Sequence, residues 1–557
     1  MPIRKTILLL LICMPFTVFC QTDFNPPYPR TYYFSFGNPP AAFLSKFDMV
    51  NCKTPVNDIK AVAPHIIVTT SRDWNVWELV HEKAPEEWYV RDSQGKIVQS
   101  GYGKLMNISE YCEPSIAYGG MKYNEYLIQA TIEQTLSNPL YDGFFCQGVW
   151  DHPYGTSDVD LDRNGVNDWQ EHGIDWLMRE WLKGVNKVVG AVYNRFKTEN
   201  KILQLNSGRF HAFEWYRSNG LNLEHIGPYT NWGYGLGMLM RWMQKAPEPH
   251  ALTIMAKSTS KNNFSDMRYL LGYSLMGDAF YEFTDQGSGE HLYKHYYDEF
   301  DLNLGYPHEK ARKLRNGLWV RFFDEGAVIV NPMGSPQTVT RNQLETLKGY
   351  DGPYYRFQGG QDPEFNDGSL FLEVRLRGQS GGQKGTRGDA IILLKKPSTV
   401  IADIIVDDHK INTSPASLPA SFEGRWEPIK IGGKNFRMIH DPHLGMHDAF
   451  FAQPARNSRA VYTPSIGVTG YYEVFEWHGY IGRNEEQVTE PNRVRVILHH
   501  AEGEEHLFID QSVRPGRWNS LGIYKFISGN SGQLILHSDA QTGMVQADAF
   551  MWSWRGN

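Results

Sequence analysis

Short apolar runs alternate with amphipathic stretches through the first half of the chain. The runs are "TYYFSFG" (31–37), "FDMVNC" (47–52), "HIIVTT" (65–70), "DGFFCQ" (142–147), "ILQLNS" (202–207), "LEHIG" (223–227), "LTIMAKS" (252–258) and "AFYEFT" (279–284). Each is apolar nearly throughout rather than at alternate positions, as in strands covered on both faces. Between them the pattern becomes helical. The clearest case is 173–197, where Ile174, Leu177, Trp181, Val185, Val188, Val192 and Phe196 recur at three- and four-residue steps. Strands alternating with helices in this way predict an α/β fold, a (β/α)8 TIM-like barrel. Segment 86–112 breaks the rhythm: "EWYVRDSQGKIV" reads as a β-hairpin turning at Gly95, inserted after the third strand.

After about residue 300 the pattern changes. "GLWVRFFDEGAVIVNP" reads as paired strands turning at Glu325–Gly326. Further strands run to Lys396, split by the Gly-rich stretch "RGQSGGQKGTRGD" (377–389). "NTSPASLPAS" (412–421) is linker-like. Beyond it, "GYYEVFEWH", "RVRVILHH", "EHLFIDQ", "GIYKFI" and "GQLILHS" alternate polar and apolar residues, which predicts a β-sandwich. At the N-terminus, Arg4 and Lys5 precede an apolar run from Ile7 to Phe19, and Val18 and Cys20 flank a cleavage point before Gln21. This reads as a secretory signal peptide. Lipidation at Cys20 fits less well because bulky Phe19 precedes it. The expected plan is a signal peptide (1–20), a catalytic barrel (21–300), a small β domain packed on it (301–402) and a C-terminal sandwich (403–557). The expected destination is secreted or periplasmic.

Composition changes this picture little. The net charge of −7 over 557 residues and the lack of a basic stripe argue against a nucleic-acid partner. Aromatics reach 13%, with 16 Trp and 30 Tyr, which suits sugar rings and equally suits a large β-rich core. Cys52, Cys112 and Cys146 remain after the signal, allowing one disulfide at most.

Two features carry chemistry. The first is "DLDRNGVNDWQE" (160–171), which fits the calcium-loop pattern D-x-[DN]-x-[DN]-G-x5-E at every fixed position. Asp160, Asp162 and Asn164 offer side-chain oxygens, Val166 its carbonyl, Asp168 an oxygen directly or through water, and Glu171 both oxygens. A single such loop predicts structural Ca2+, bracing the segment that begins at Trp150. No organic cofactor is expected. The second feature is the set of residues at the strand C-terminal ends, where barrel chemistry resides. The catalytic candidates are Gln147, Asp151, His152, Glu224, His225 and Glu282. The substrate-binding candidates are Arg72, Trp150, Asn206, Arg209, Tyr229, Lys257 and Asp285. Glycoside hydrolysis needs two carboxyl groups across a sugar bond, and Glu224, Asp151 and Glu282 offer such a pair. Asp142 begins the fourth strand, at the opposite end, and is expected to be structural. "HDPHLGMHD" (440–448) gathers His440, His443 and His447, but in composition that favours a loop over a metal site.

"YDGFFCQGVWD", "LNSGRF", "NGLNLEH", "YYDEFDLNLGYP" and "LWVRFFDEGAVIVNP", in this order, resemble a glycoside-hydrolase-like barrel family of secreted bacterial proteins over about residues 30–400. "GYYEVFEWH", "DQSVRPGRWNSLGIYKF" and "VQADAF" resemble the golvesin or xanthan-lyase C-terminal domain over about 403–557. The first resemblance implies sugar chemistry, and Glu224 matches that family's acidic position on the sixth strand. The fourth-strand motif departs from the family, where an Asp stands at the position of Gln147. Three readings stay open: hydrolysis by Glu224 with Asp151 or Glu282; β-elimination on uronate glycans, with amide and cationic donors holding the developing charge and a histidine or Tyr229 as base; or glycan binding without catalysis. In each the partner is an oligo- or polysaccharide.

Overall fold

The computed structural model describes residues 22–76, 84–206, 217–224, 232–285, 294–378, 388–428, 437–439, 450–452, 457–482 and 490–557. Its centre is a barrel of β1 (Tyr32–Phe34), β2 (Met49–Asn51), β3 (Ile67–Asp73), β4 (Gly143–Gln147), β5 (Ile202–Asn206), β6 (Gly220–Glu224), β7 (Thr253–Ser258) and β8 (Phe280–Asp285). Each strand pairs in parallel with the next in sequence. Thr31 bridges in parallel to Tyr281, and Tyr281 N–H donates to the Arg30 carbonyl at 2.9 Å, which brings the last strand round to the first. The (β/α)8-type reading therefore holds.

The helices on the outside are α1 (Ala41–Leu44), α2 (Val56–Val62), α3 (Tyr123–Leu136), α4 (Asp168–His172), α5 (Ile174–Thr198), α6 (Trp232–Lys245) and α7 (Phe264–Met276). Successive strand residues serve two cores, which explains the continuous apolar runs. Tyr32, Phe34, Met49, Ile67, Phe145, Ile202, Met255 and Phe280 fill the interior of the barrel. Phe144, Cys146, Leu203, Leu205, Leu221, Leu223, Ile254 and Ala256 face outward into the helix layer.

The sixth strand begins three residues earlier than the pattern suggested. Gly220 and Asn222 do not look strand-like in sequence, yet a small residue and an amide suit inward positions of a crowded barrel. A Cβ on Gly220 would lie 2.0 Å from the Ala251 carbonyl oxygen. Asp142 is structural, as expected. It pairs with Lys60 at 2.7 Å and accepts from Val68 N–H at 2.8 Å, away from the strand C-termini.

The insertion after β3 is held from several sides. Its hairpin turns at Gly95, where φ is +76°, and Val98 N–H donates to Val90 O at 3.0 Å. Trp88 is fully buried against Tyr118, Tyr123 and Tyr126. Gly184 on α5 admits the insertion backbone, since a Cβ there would sit 1.9 Å from Ile108 O.

Beyond the barrel, a five-stranded antiparallel sheet is built from 312–313, 319–323, 326–331, 389–394 and 355–356, with its own apolar core. Among the described residues of the C-terminal part, the two largest sheets are antiparallel, one of 404–407, 549–556, 470–477 and 519–526, the other of 421–423, 459–462, 533–537, 494–500 and 503–509. Val406, Tyr472, Val474, Val496, Leu498, Leu534, Leu536 and Trp552 pack together as a single core, so the β-sandwich reading holds. Lys46 pairs with Asp403, and Lys261 Nζ donates to Lys410 O at 2.8 Å, joining barrel and sandwich. Cys52, Cys112 and Cys146 are free thiols. No helix among the described residues is long and apolar enough to cross a membrane.

Candidate active site

At the C-terminal end of the barrel, side chains on the inner face turn from apolar to polar. Glu224 ends β6 and is half-buried. Its Oε1 accepts from Asn206 Nδ2 at 2.8 Å. A chain of amides and a hydroxyl fixes that donor from behind. Asn222 Nδ2 donates to Asn206 Oδ1 at 3.2 Å, Thr253 Oγ1 to Asn222 Oδ1 at 2.6 Å, and Gln204 Nε2 to Thr253 Oγ1 at 2.7 Å. Gln204, Asn222 and Thr253 are fully buried, so the relay is rigid and shielded from water.

Glu282, two strands on, is in a different state. Its side chain and that of Lys294 are each 1% exposed, with Nζ 2.7 Å from Oε1. Its Oε2 accepts from Phe34 N–H at 2.8 Å. Burial pushes the carboxyl up to about 7, opposed by Lys294 and the Phe34 N–H and reinforced by the charge of Glu224. The fully buried Tyr32 hydroxyl feels both glutamates and is held far above its ordinary range, chiefly by burial. Glu224, Glu282 and Tyr32 thus form one electrostatic cluster.

On the opposite side, Gln147 ends β4 in register with Asp73 of β3. Asp73 Oδ1 accepts from the N–H groups of Asn75 at 2.7 Å and Val76 at 2.9 Å, and burial lifts the carboxyl to about 6. It therefore shapes the turn after β3. Val149 N–H donates to Asn206 O at 3.0 Å, tying the loop after β4 to the end of β5. Further along that loop, His152 Nδ1 lies 2.6 Å from Asp151 Oδ1. Trp150 and Tyr154 stack with centroids 4.7 Å apart, and Tyr102 from the insertion lies 5.9 Å from each. Tyr102 is 67% and Tyr154 41% exposed, so three rings make an open aromatic shelf beside the Asp151–His152 pair.

The structure thus gathers Asn206, Glu224 and Glu282 on the inner face, with Lys257 on the inward register of β7, beside Thr284 of β8. Arg72 shares the outward face of Thr70, whose hydroxyl meets Gln134 of α3, and so does not join this group. Asp285 alternates with Thr284 and accepts from Lys261 N–H at 3.0 Å, also off the inner face. His225, Arg209, Tyr229 and the cluster His440, His443 and His447 lie outside the described residues. Sequence reasoning missed Lys294, Tyr32, Asn222 and Tyr102. The Asn222–Glu224 spacing of two is a usable signal, since residues two apart in a strand share a face; no local pattern announces the others.

Carboxyl, amide and aromatic groups thus gather at the C-terminal end of a parallel barrel, the end where barrel chemistry resides. Residues 66–327 match the family model described as hypothetical glycosyl hydrolase family 15, and residues 443–553 match the Golvesin C-terminal domain. No curated protein matches the sequence. Among solved structures, a Paenibacillus xanthan lyase is 15% identical over 46% of this chain and 26% of its own, with a TM-score of 0.22. Bacteroides uniformis β-glucuronidase 2 is 9% identical over 94% of this chain and 65% of its own, with a TM-score of 0.28. An α-amylase from Geobacillus thermoleovorans is 11% identical over 66% of this chain and 98% of its own, with a TM-score of 0.32. The chain thus spans about a quarter of the lyase and just under two thirds of the glucuronidase.

Proposed function

We propose that this chain is an exported enzyme that hydrolyses an oligo- or polysaccharide, with Glu224 as one reacting carboxyl and Asp151 as the other. The family match supports carbohydrate chemistry in general. The observation that carries the assignment is the state of Glu224. Of the carboxylates on the inner face among the described residues, Glu282 is sealed in an ion pair and Asp73 is engaged by a turn. Glu224 alone is both oriented by a side-chain donor and open to solvent. Gln147 cannot attack or donate an acidic proton at neutral pH, so the second group comes from the loop beyond it. There Asp151 stands next to Trp150, whose ring offers a face for the sugar. In this scheme one carboxyl protonates the leaving oxygen, and its partner attacks the anomeric carbon or activates water. Glu282 and Lys294 act as positioning residues beside Glu224. Glu224→Gln should lower the release of new reducing ends by about a thousandfold or more. Full retained activity would remove Glu224 from the chemistry.

A second reading, β-elimination on a uronate glycan, has its own supporting observation. Asp151 holds His152 through Nδ1, leaving Nε2 as a base, while Gln147, Asn206 and Lys257 are donors suited to a developing enediolate. Elimination leaves a conjugated unsaturated uronate that absorbs in the near ultraviolet, and hydrolysis does not. Binding with neither product would leave the barrel a glycan receptor.

A further inference from the structure

The loop between β4 and α5 contains a group whose chemistry is incomplete. Asp168 is fully buried. Its Oδ2 accepts from Leu161 N–H at 2.6 Å, and its Oδ1 meets no hydrogen-bond donor among the described residues. A carboxylate oxygen removed from water without a partner is costly, by several kcal/mol on the order of a lost charge-assisted hydrogen bond. The surroundings add more negative charge. Oxygens of Asp162 and Asp168 and a ring nitrogen of His172 lie within 4.8 Å of one another. Gly165, with φ at +84°, turns the chain so that Asp160 Oδ2 accepts its N–H at 2.8 Å, while Asn164 Nδ2 reaches Glu171 Oε2 at 2.9 Å. Asp162 and His172 thus meet one buried, unsatisfied carboxylate, and Asp160, Asn164 and Glu171 are tied into the same turn.

We propose that Asp160, Asp162, Asn164, the Val166 carbonyl, Asp168 and Glu171 form a calcium site. The donor set decides the ion. Five side chains offer hard oxygens, and the ion they suit is large and tolerant of irregular geometry. His172 adds one ring nitrogen to this set of oxygens, its ring 4.4 Å from that of Trp176 and its Nε2 3.5 Å from Glu171 Oε2. Zinc, which favours nitrogen and sulfur, is therefore the poorer match. The ion acts at a distance from the chemistry. Asp160 pairs with Arg91 through backbone (N–H to O, 2.8 Å), Ser93 N–H donates to Asp158 at 3.0 Å, and Arg163 donates to Glu87 O at 2.7 Å. Filling the loop therefore locks the insertion that carries Tyr102 onto the loop that carries Trp150.

The test uses the full chain, stripped with a chelator and titrated with calcium chloride in a calorimeter. One site per chain is expected, with a Kd at or below about 10⁻³ M and at least a tenfold preference over magnesium. Hydrogen exchange should slow at Arg91 and Asp160 on calcium addition. Glu171→Gln, on the rim of the loop, should weaken binding at least tenfold and leave the melting temperature of the stripped protein unchanged. The proposal is overturned by no binding at about 10 mM calcium, by unchanged affinity in Glu171→Gln, by equal affinity for magnesium, or by tighter zinc binding that His172→Ala abolishes. None of these readouts depends on turnover, so they stand apart from the proposed glycan chemistry.

Discussion

Replacing Lys294 with methionine removes the cation that balances Glu282 inside the barrel. Both side chains are 1% exposed and 2.7 Å apart, so water cannot substitute for the lost partner. Stranding one member of a buried pair costs about 3–5 kcal/mol. The loss should depend on pH, with a sign fixed by the carboxyl. Glu282 titrates near 4.5 in an unfolded chain and near 7 in the fold. Between those values the folded protein holds a proton that the unfolded chain has released. The contribution of this group is therefore fully present below about 4.5 and lost as pH rises to about 7, a span of about 3 kcal/mol. Lys294 is the largest of the influences that lower this titration, so its removal carries the loss to still higher pH. Lys294→Met should lie close to wild type at about pH 5 and fall by about 10 °C in the barrel transition at about pH 8. Glu282→Met combined with Lys294→Met should recover most of that fall and flatten the difference from wild type across the range, because two matched apolar groups replace a costly pair. Differential scanning calorimetry at both pH values decides. An equal loss at both, or a double variant no better than the worse single one, refutes this account of the pair.

Two further outcomes follow from the site. Asn206→Ala removes the donor to Glu224 and the acceptor used by Asn222. It should lower kcat by about tenfold to a hundredfold with KM little changed, since the reacting carboxyl loses the donor that orients it; an unchanged kcat would show that the relay does not position Glu224. Tyr102→Ala removes one ring of the exposed shelf and should raise KM about tenfold with kcat within about twofold, whereas a fall confined to kcat would place Tyr102 in the chemistry instead.

The barrel was legible because its strands are buried on both faces, which writes them as unbroken apolar runs, and because α5 repeats at three- and four-residue steps. The sixth strand was misplaced where inward small and amide residues imitate a loop. The candidates at the strand ends were legible as a group, since chemistry in this architecture sits at one end. Which of them face inward depends on a one-residue register, and Arg72 and Asp285 each fall a single position off the inner face. The state of Glu282 was not legible at all. Its partner Lys294 follows β8, and nothing in the local sequence says that its side chain returns into the interior. The shelf was half-legible: Trp150 is in a loop after β4, but Tyr102 arrives from a separate insertion and meets it only in space.

That insertion has a consequence for how such a protein can diversify. It rests on Gly184 of α5, on the Trp88 aromatic nest and, through Arg91, on Asp160, while its turn at Gly101 and Tyr102 lies against Gly155, Trp150 and Tyr154 of the loop after β4. Foundations and tip are therefore separable. Side chains at 100–103 can be exchanged while Gly184, the Trp88 nest and the Arg91–Asp160 pairing stay as they are, and under the proposed glycan chemistry this turn is the place to alter sugar preference.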